Sequence, residues 1–290
     1  MEGCTLCPRR CGVDRTSAVG YCATGSLVKV ARAAKHFWEE PCISGTEGSG
    51  TVFFSGCTLG CVFCQNREIS REGVGREVTV EHLAQIFQNL EKQGVHNLNL
   101  VTPTHFTPQI LQALELAKPA VPVVMNTGGY ERVETLQKWE GRVQVYLPDL
   151  KYVSGELSGK YSAAKDYFQV ASKAIVEMHR QQPELIWEGD LLKRGLIVRH
   201  LVLPGGMRDS LAVLDFLDKA LPKGSFLLSL MSQFTPTSAC STFPEINRRV
   251  TTYEYQKVAD RAAELGFAGF AQDRRSAKKE YTPPFDLEGV

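Results

Sequence analysis

Cys57, Cys61 and Cys64 stand at x3 and x2 spacing in a loop that directly follows the apolar run 51–55 (TVFFS), with Gly56 and Gly60 beside them. Thiolates at this density suit metal ligation. A tetrahedral zinc site wants a fourth ligand from a second pair, and none lies nearby in this part of the chain. Three thiolates can instead hold three irons of a [4Fe–4S] cluster and leave the fourth open to an exogenous ligand. The plain alternative is three buried apolar cysteines, which the loop position and flanking glycines disfavour. A second group, Cys4, Cys7, Cys11 and Cys22, is spaced x2, x3 and x10, with Pro8 and Gly12 shaping tight turns. Four thiolates complete either a zinc tetrahedron, stapling a segment too poor in apolar residues to build its own core, or a closed [4Fe–4S] cluster able to relay electrons. Free thiols in a disordered extension are the alternative. Cys42 and Cys240 have no partner at metal spacing and read as small buried apolar residues.

The rest of the composition frames this chemistry. Thirty-three Lys+Arg against 32 Asp+Glu in 290 residues leave a net charge of +1, which fits neither a basic nucleic-acid platform nor an acidic tail. With 43% hydrophobic residues, a chain of this length buries a large core without disulfides. The longest apolar stretches, 226–231 and 196–203, are too short to span a membrane, and the second is broken by Arg199 and His200. Residues 1–10 hold two Cys and two Arg and no apolar signal region. An odd number of clustered cysteines with no such signal argues for a reduced, cytoplasmic, soluble protein.

The elements that must position the triplet follow from periodicity. Residues 80–92 place Leu83, Ile86, Phe87 and Leu90 on one helical face, with Thr79 as N-cap. Residues 97–102 (NLNLVT) read as a strand, and the next helix takes Thr107 as N-cap with Pro108 at its first position. Strands follow at 121–126, 143–150, 195–203, 225–231 and 267–272, with helices near 131–139, 161–182, 209–221 and 252–265. Strict βαβα order predicts an α/β fold with a parallel sheet and right-handed crossovers. Six or seven such units suggest a barrel, complete or partial. No G-x-G-x-x-G fingerprint opens the first βα turn, where a dinucleotide fold would need it. The cysteine triplet stands in its place, at the carboxyl end of a parallel strand, where α/β sites are built. Residues 1–50 have no strong period and read as a cysteine-rich N-terminal extension, 51–272 as the core barrel and 273–290 as a solvated C-terminal tail.

Cys57-x3-Cys61-x2-Cys64, with the aromatic Phe63 before the last Cys, resembles the signature of the radical S-adenosyl-L-methionine (SAM) enzymes. Within that superfamily the chain is similar to the uncharacterised branch related to pyruvate formate-lyase activating enzymes. The likeness rests on Cys4-Thr5-Leu6-Cys7-Pro8-Arg9-Arg10-Cys11-Gly12, Glu39-Glu40-Pro41-Cys42-Ile43-Ser44-Gly45, Phe63-Cys64-Gln65-Asn66 and Val101-Thr102-Pro103-Thr104-His105. The resemblance implies a partial (β/α)6 TIM-like barrel and an oxidoreductase whose [4Fe–4S] cluster binds SAM through its unique iron. The reduced cluster then cleaves SAM to methionine and a 5′-deoxyadenosyl radical, which abstracts hydrogen.

The same resemblance marks cofactor-binding positions. Phe63 would lie near the adenine. The family's Gly-Gly-Glu after its second strand, which binds the SAM amino group, is replaced by Thr102-Pro103-Thr104-His105, so Thr102 and Thr104 stand where that contact would be. Asn126-Thr127-Gly128-Gly129 resembles the family's Asp-Thr-Asn-Gly with an amide for the acid, so two acids are missing. Asp149-Leu150-Lys151 matches Asp-Leu-Lys, whose Lys faces the SAM carboxylate, and Arg199 matches the Arg before the Pro204-Gly205 turn. Lys151 and Arg199 can equally balance a buried acid such as Asp149. His105 and His200 read as satisfied core histidines, and Met231 and Gln233 as residues near the barrel mouth. With no flavin or nicotinamide motif, an external donor such as flavodoxin or ferredoxin is implied. Three functions remain open: a glycyl-radical activating enzyme acting on a partner protein, a radical SAM enzyme acting on a small molecule or peptide, and a non-catalytic cysteine–metal protein. The sequence names no catalytic residue.

Overall fold

The computed structural model describes residues 3–271 and 282–290. In chain order its elements are β1 (Val28–His36), α1 (Pro41–Ser44), β2 (Ser49–Phe54), α2 (Arg67–Ser70), β3 (Arg76–Val78), α3 (Val80–Lys92), β4 (Leu98–Val101) and α4 (Thr107–Ala117). There follow β5 (Val123–Thr127), α5 (Val133–Leu136), β6 (Val145–Pro148), α6 (Gly155–Ser162), α7 (Tyr167–Gln181), β7 (Ile186–Glu188) and β8 (Leu191–Leu201). The chain continues through α8 (Met207–Ala220), β9 (Leu227–Met231), α9 (Thr252–Glu264) and β10 (Gly269–Ala271).

The strands form one open sheet in the order β10-β9-β8-β6-β5-β4-β2-β1-β3, with β7 added antiparallel to β8. From β2 to β10 along that path every pairing is parallel, seven strands in all, as alternating β and α segments require. At the other end of the path β1 runs against the sheet, antiparallel to both β2 and β3. The architecture is a TIM-like sheet that does not close.

Alternation along each strand sorts the two faces. One set, including Leu98, Leu100, Val123, Met125, Tyr146, Leu196, Val198 and Leu228, packs under the helices in the main core. The opposite set, Val124, Val145, Leu147, Ile197 and Leu227, closes on Cys42 and Ile43 of α1. This four-residue helix is therefore an apolar plug inside the sheet's curve. Further along the same inner face, toward the carboxyl ends, the residues turn polar: Asn99, Asn126, Asp149, Arg199 and Ser229.

Thr79 caps α3 by accepting from the His82 N–H, and Leu83, Ile86, Phe87 and Leu90 are buried, as the periodicity predicts. Other expectations need correction. Thr107 is the first residue of α4 rather than its cap, because a 3-10 turn, Thr104–Phe106, runs straight into the helix, and the Thr107 hydroxyl donates back to the Thr104 carbonyl. The helix expected at 161–182 begins only at Tyr167, as α7; residues 161–162 close α6, and Ala163 at φ +50° breaks the helical run between them. Residues 131–139 hold only the short α5 and a 3-10 turn. Segment 1–50 supplies β1 and α1 to the body of the fold.

Residues 282–290 of the expected solvated tail lie along β1. Leu287 N–H donates to Ala31, Ala33 N–H donates to Glu288, Arg32 pairs with Asp286 and Glu288, and the Phe285 ring meets Phe53 at 5.5 Å. The remainder of that tail up to residue 281, and Gln272 at the end of the expected last strand, lie outside the described residues. Among the described residues no helix is long and apolar enough to cross a membrane.

Candidate functional site

β2 delivers the chain into the loop 56–66, and two glycines let the loop fold back on itself. Gly56 (φ +88°) leaves no room for a Cβ, which would lie 2.5 Å from the Cys22 carbonyl oxygen. Gly60 (φ +81°) makes way for the Arg71 guanidinium. Cys57, Cys61 and Cys64 are free thiols. Their sulfurs accept weakly from the loop and its neighbours: Cys57 from Leu59 N–H at 3.4 Å, Cys61 from the Ser162 hydroxyl at 2.9 Å and Cys64 from the Ser70 hydroxyl at 3.5 Å. Burial pushes the Cys61 thiol up to about 12, with Lys151 pulling it down, while burial and the neighbouring Cys57 raise Cys64. The three thiols thus feel one another and a common lysine. Among the described residues no three Cys, His, Asp or Glu side chains gather about a point suited to a single metal ion. A cubane does not need that gathering, because each thiolate binds a separate iron at a separate corner. Three thiols facing one another beside a cation fit such a group.

A cleft of about 210 Å³ opens at this loop, lined by Cys61, Phe63, Cys64, Asp149, Lys151 and Arg199 together with the end of β9 and the segment after it. Phe63 is buried against Phe234, ring centroids 5.7 Å apart, and Tyr152 at 6.5 Å. Larger hollows of about 620 Å³ and 390 Å³ lie elsewhere, one beside the end of α4 and one between Pro8 and α7, away from the thiols of the loop.

Behind the cleft wall lies a buried polar network. Arg199 donates to Asp149 at 2.9 Å, to Asn126 at 2.6 Å and to Glu39 at 3.4 Å. Lys151 donates to the second oxygen of Asp149 at 2.5 Å. Glu39 also accepts from Asn99 at 2.9 Å and Asn126 at 3.2 Å. Burial works to raise Asp149, but Arg199 and Lys151 outweigh it and hold its carboxyl below the ordinary range. Burial likewise opposes the charge on Lys151, and Asp149, then Cys61, restore it and hold it above its usual value. Glu39 and Glu40 are raised by burial, with Arg199 pulling against it.

The expected site residues therefore separate into groups. Phe63, Cys61, Cys64, Lys151 and Arg199 share the cleft, and Asn126 joins it through Arg199. Thr102 and Thr104 are not among the lining residues. Thr102 bends the end of β4 through φ +59°, and the 3-10 turn that follows buries Thr104 facing Glu131. His105 and His200 are buried and held down to about 4, chiefly by burial. His200 is bonded to the Leu150 carbonyl at 2.6 Å and to the Ser210 hydroxyl at 2.8 Å, and His105 to the Ser55 carbonyl at 2.7 Å. Met231 and Gln233 line the cleft. Cys42 sits in the plug and Cys240 is fully buried.

Three acids, in two places, had no site role in the sequence. Glu39 and Glu40 enter the barrel from the segment before α1, and their signal was a pair of charges set in an apolar run, Phe37-Trp38 before and Cys42-Ile43 after. Glu131, after β5, is the third: burial raises it to about 7 while the Thr104 and Thr127 hydroxyls pull it down.

The N-terminal cysteines form a knuckle over this loop. Cys4 N–H donates to Val13 and Gly12 N–H to Cys4, while Cys11 Sγ accepts from Tyr21 N–H and Cys22 Sγ meets the Thr24 hydroxyl at 3.2 Å. Side chains clamp the knuckle down. Tyr21 donates to the Leu59 carbonyl at 2.7 Å, with the guanidinium of Arg9 3.9 Å and that of Arg71 4.5 Å from its ring centroid. Arg9 also donates to the Thr58, Leu59, Ser162 and Ala163 carbonyls.

Residues 51–180 match the Radical SAM superfamily. The uncharacterized protein MJ0674 of Methanocaldococcus jannaschii is 28% identical over 272 residues, 90% of this chain and 75% of that protein. Streptococcus suis SuiB bound to S-adenosylmethionine gives a TM-score of 0.51 at 11% identity, over 79% of this chain and 51% of SuiB. SuiB bound to its precursor peptide SuiA gives 0.50 at 10% identity, over 76% and 48%. Methylornithine synthase (PylB) gives 0.51 at 14% identity, over 75% and 62%. The chain spans about half the length of SuiB, and at these identities the likeness is one of fold. The matched residues carry the cysteine loop, the strands β2, β4, β5 and β6 and the Asp149–Lys151 pair, and it is over this stretch that the chain is similar to the Radical SAM superfamily.

Proposed function

We propose that the protein is a radical SAM iron–sulfur enzyme that reductively cleaves S-adenosyl-L-methionine and abstracts hydrogen from a protein or peptide, in the manner of a glycyl-radical activating enzyme. The observation that carries this reading is the convergence of Cys61, Phe63, Cys64, Lys151 and Arg199 on one cleft at the carboxyl ends of parallel strands. When bound, the cluster and SAM supply an electron to the sulfonium and a 5′-deoxyadenosyl radical.

The chain's own residues do the rest. Cys57, Cys61 and Cys64 hold three irons and leave one free for SAM. Lys151, kept charged by Asp149, faces the SAM carboxylate. Phe63, Tyr152 and Phe234 keep water from the adenine side. Reduction comes from an external donor such as flavodoxin or ferredoxin. A polypeptide substrate is supported by the unclosed sheet, which leaves a lateral gap for a loop, and by SuiB, a protein of like fold solved with a precursor peptide.

The test is anaerobic reconstitution with iron and sulfide, reduction, and assay of 5′-deoxyadenosine, repeated with deuterated polypeptides and metabolites. Cleavage with deuterium passing from a polypeptide is the expected result. Efficient transfer from a free metabolite with no polypeptide labelled would reject the polypeptide assignment, and no cleavage would reject the reading. Lys151→Ala should weaken SAM binding about tenfold while leaving iron content unchanged, since it removes one charge-assisted contact. Unaltered affinity would remove Lys151 from the site.

A further inference from the structure

Resting on that reading, we infer that Glu39 is the positioning residue of the SAM end of the cleft, supplying from the N-terminal segment a carboxylate that the strand ends lack. The residues where an acid is expected are Thr102-Pro103-Thr104-His105 after β4 and Asn126 at the end of β5. Glu39 reaches the same neighbourhood from outside the barrel strands. One carboxylate oxygen accepts from Asn99 and Asn126, the other from Arg199, and its side chain is 9% exposed.

Asn126 can make both its bonds only in one orientation: its amide N–H₂ must face Glu39 and its carbonyl must face Arg199. Glu39 and Arg199 thereby select the same flip of Asn126, Glu39 from its amide side. It also fixes a third side of a guanidinium already held by Asp149 and Asn126. Arg199 and Asp149 line the cleft, and Asp149 holds Lys151, so the carboxylate behind the wall sets the orientation of the cations in front of it. Glu39 does not line the cleft itself and acts through these neighbours.

The plug does not depend on this side chain. The bonds that tie the segment to α1 come from the backbone: Glu39 N–H donates to Ser44 Oγ, and Ile43 and Ser44 N–H donate to the Glu40 carbonyl. Replacing the carboxylate by an amide of the same shape therefore targets the network while leaving the plug's packing in place.

The experiment measures SAM affinity by equilibrium dialysis on reconstituted wild type, Glu39→Gln, Asn126→Asp and the double variant, with iron content and kinetics of SAM cleavage alongside. Glu39→Gln turns an N–H₂ toward Arg199 or toward the two asparagines, whichever way it lies. It should raise the SAM Kd and KM about tenfold, the loss of one charge-assisted contact, with iron content intact and kcat changed less. Asn126→Asp restores a carboxylate 2.6 Å from the same guanidinium, so the double variant should recover most of that affinity. A structural role in the plug would not be rescued by an acid on a different strand. An unchanged Kd in Glu39→Gln, or a loss that the double variant does not recover while Asn126→Asp alone binds SAM, overturns the inference. Failure of the wild type to cleave SAM overturns the function above instead, so the two failures are distinguishable.

Discussion

The two cysteine groups use the same residue and nearly the same short spacings, yet the fold treats them differently. The loop triplet sits at a strand end, its thiols within one another's field, with Lys151 facing Cys61 across a cleft. The knuckle thiols also feel one another, Cys22 and Cys11 both raising Cys7, which burial pushes up to about 12, but an acid, Glu131, stands beside Cys7 where Lys151 stands beside Cys61. The knuckle's hold on the barrel comes from Arg9, Tyr21 and Arg71, which grip the backbone of the triplet's loop. Spacing alone does not separate a cofactor site from a structural one. Position is what differs, the triplet lying at the carboxyl end of a parallel strand with Lys151 beside it.

The largest effect should come from removing the triplet. Cys57→Ala/Cys61→Ala/Cys64→Ala is expected to abolish SAM cleavage entirely, whereas Cys11→Ser, at an exposed position, should leave it intact. Metal analysis of the folded triplet variant reads the knuckle separately, where zinc would mark a structural staple. Four irons per chain remaining in it, by metal analysis, would assign a second, closed cluster to the knuckle and break the comparison.

A smaller effect tests the clamp. Tyr21→Ala deletes one hydrogen bond and two cation contacts and should destabilise the docked knuckle by about 2 kcal/mol. Protease cleavage within residues 3–25 should speed up before the barrel melts. Cleavage that follows global unfolding alone would show that the knuckle is held by something other than this stack.

A graded effect, spread over a pH window, separates the regions as well. His200 is buried in the barrel with its folded value near 4, below its ordinary 6.5, while residues 3–25 contain no histidine. The unfolded chain takes up a proton on this group first as the pH drops. Its contribution is therefore present above pH 6.5 and lost progressively down to about 4, at a slope of at most about 1.4 kcal/mol per pH unit. Denaturation curves of His200→Gln should show a shallower fall across that window than wild type. An equal slope would mean that the group takes up its proton in the folded state as readily as in the unfolded chain.

Much of the barrel was legible because parallel strands buried on both faces read as apolar runs and their helices carry a clean 3.6 period, as α3 does with Leu83, Ile86, Phe87 and Leu90. β1 was not legible: in VKVARAAKH small alanines and spaced cations blur the alternation, and its pattern of burial is set by β2 and the C-terminal segment. The break at Ala163 carries no Gly or Pro to announce it. The cleft residues Phe63, Lys151 and Arg199 were found by motif, whereas Glu39 stood in a motif that gave it no role, because its place in the network depends on how a segment ten residues before β2 docks inside the sheet. Long-range docking of that kind leaves no periodic trace.

The central claim is that the loop triplet, and not the knuckle, holds the iron that SAM reaches. EPR spectra of reduced, reconstituted protein, recorded with and without SAM, test it most directly when wild type is set beside the triplet variant. Wild type should give a reduced [4Fe–4S] signal that shifts on adding SAM, and the triplet variant should give no SAM-responsive signal. A signal in the triplet variant that still shifts with SAM would contradict the account.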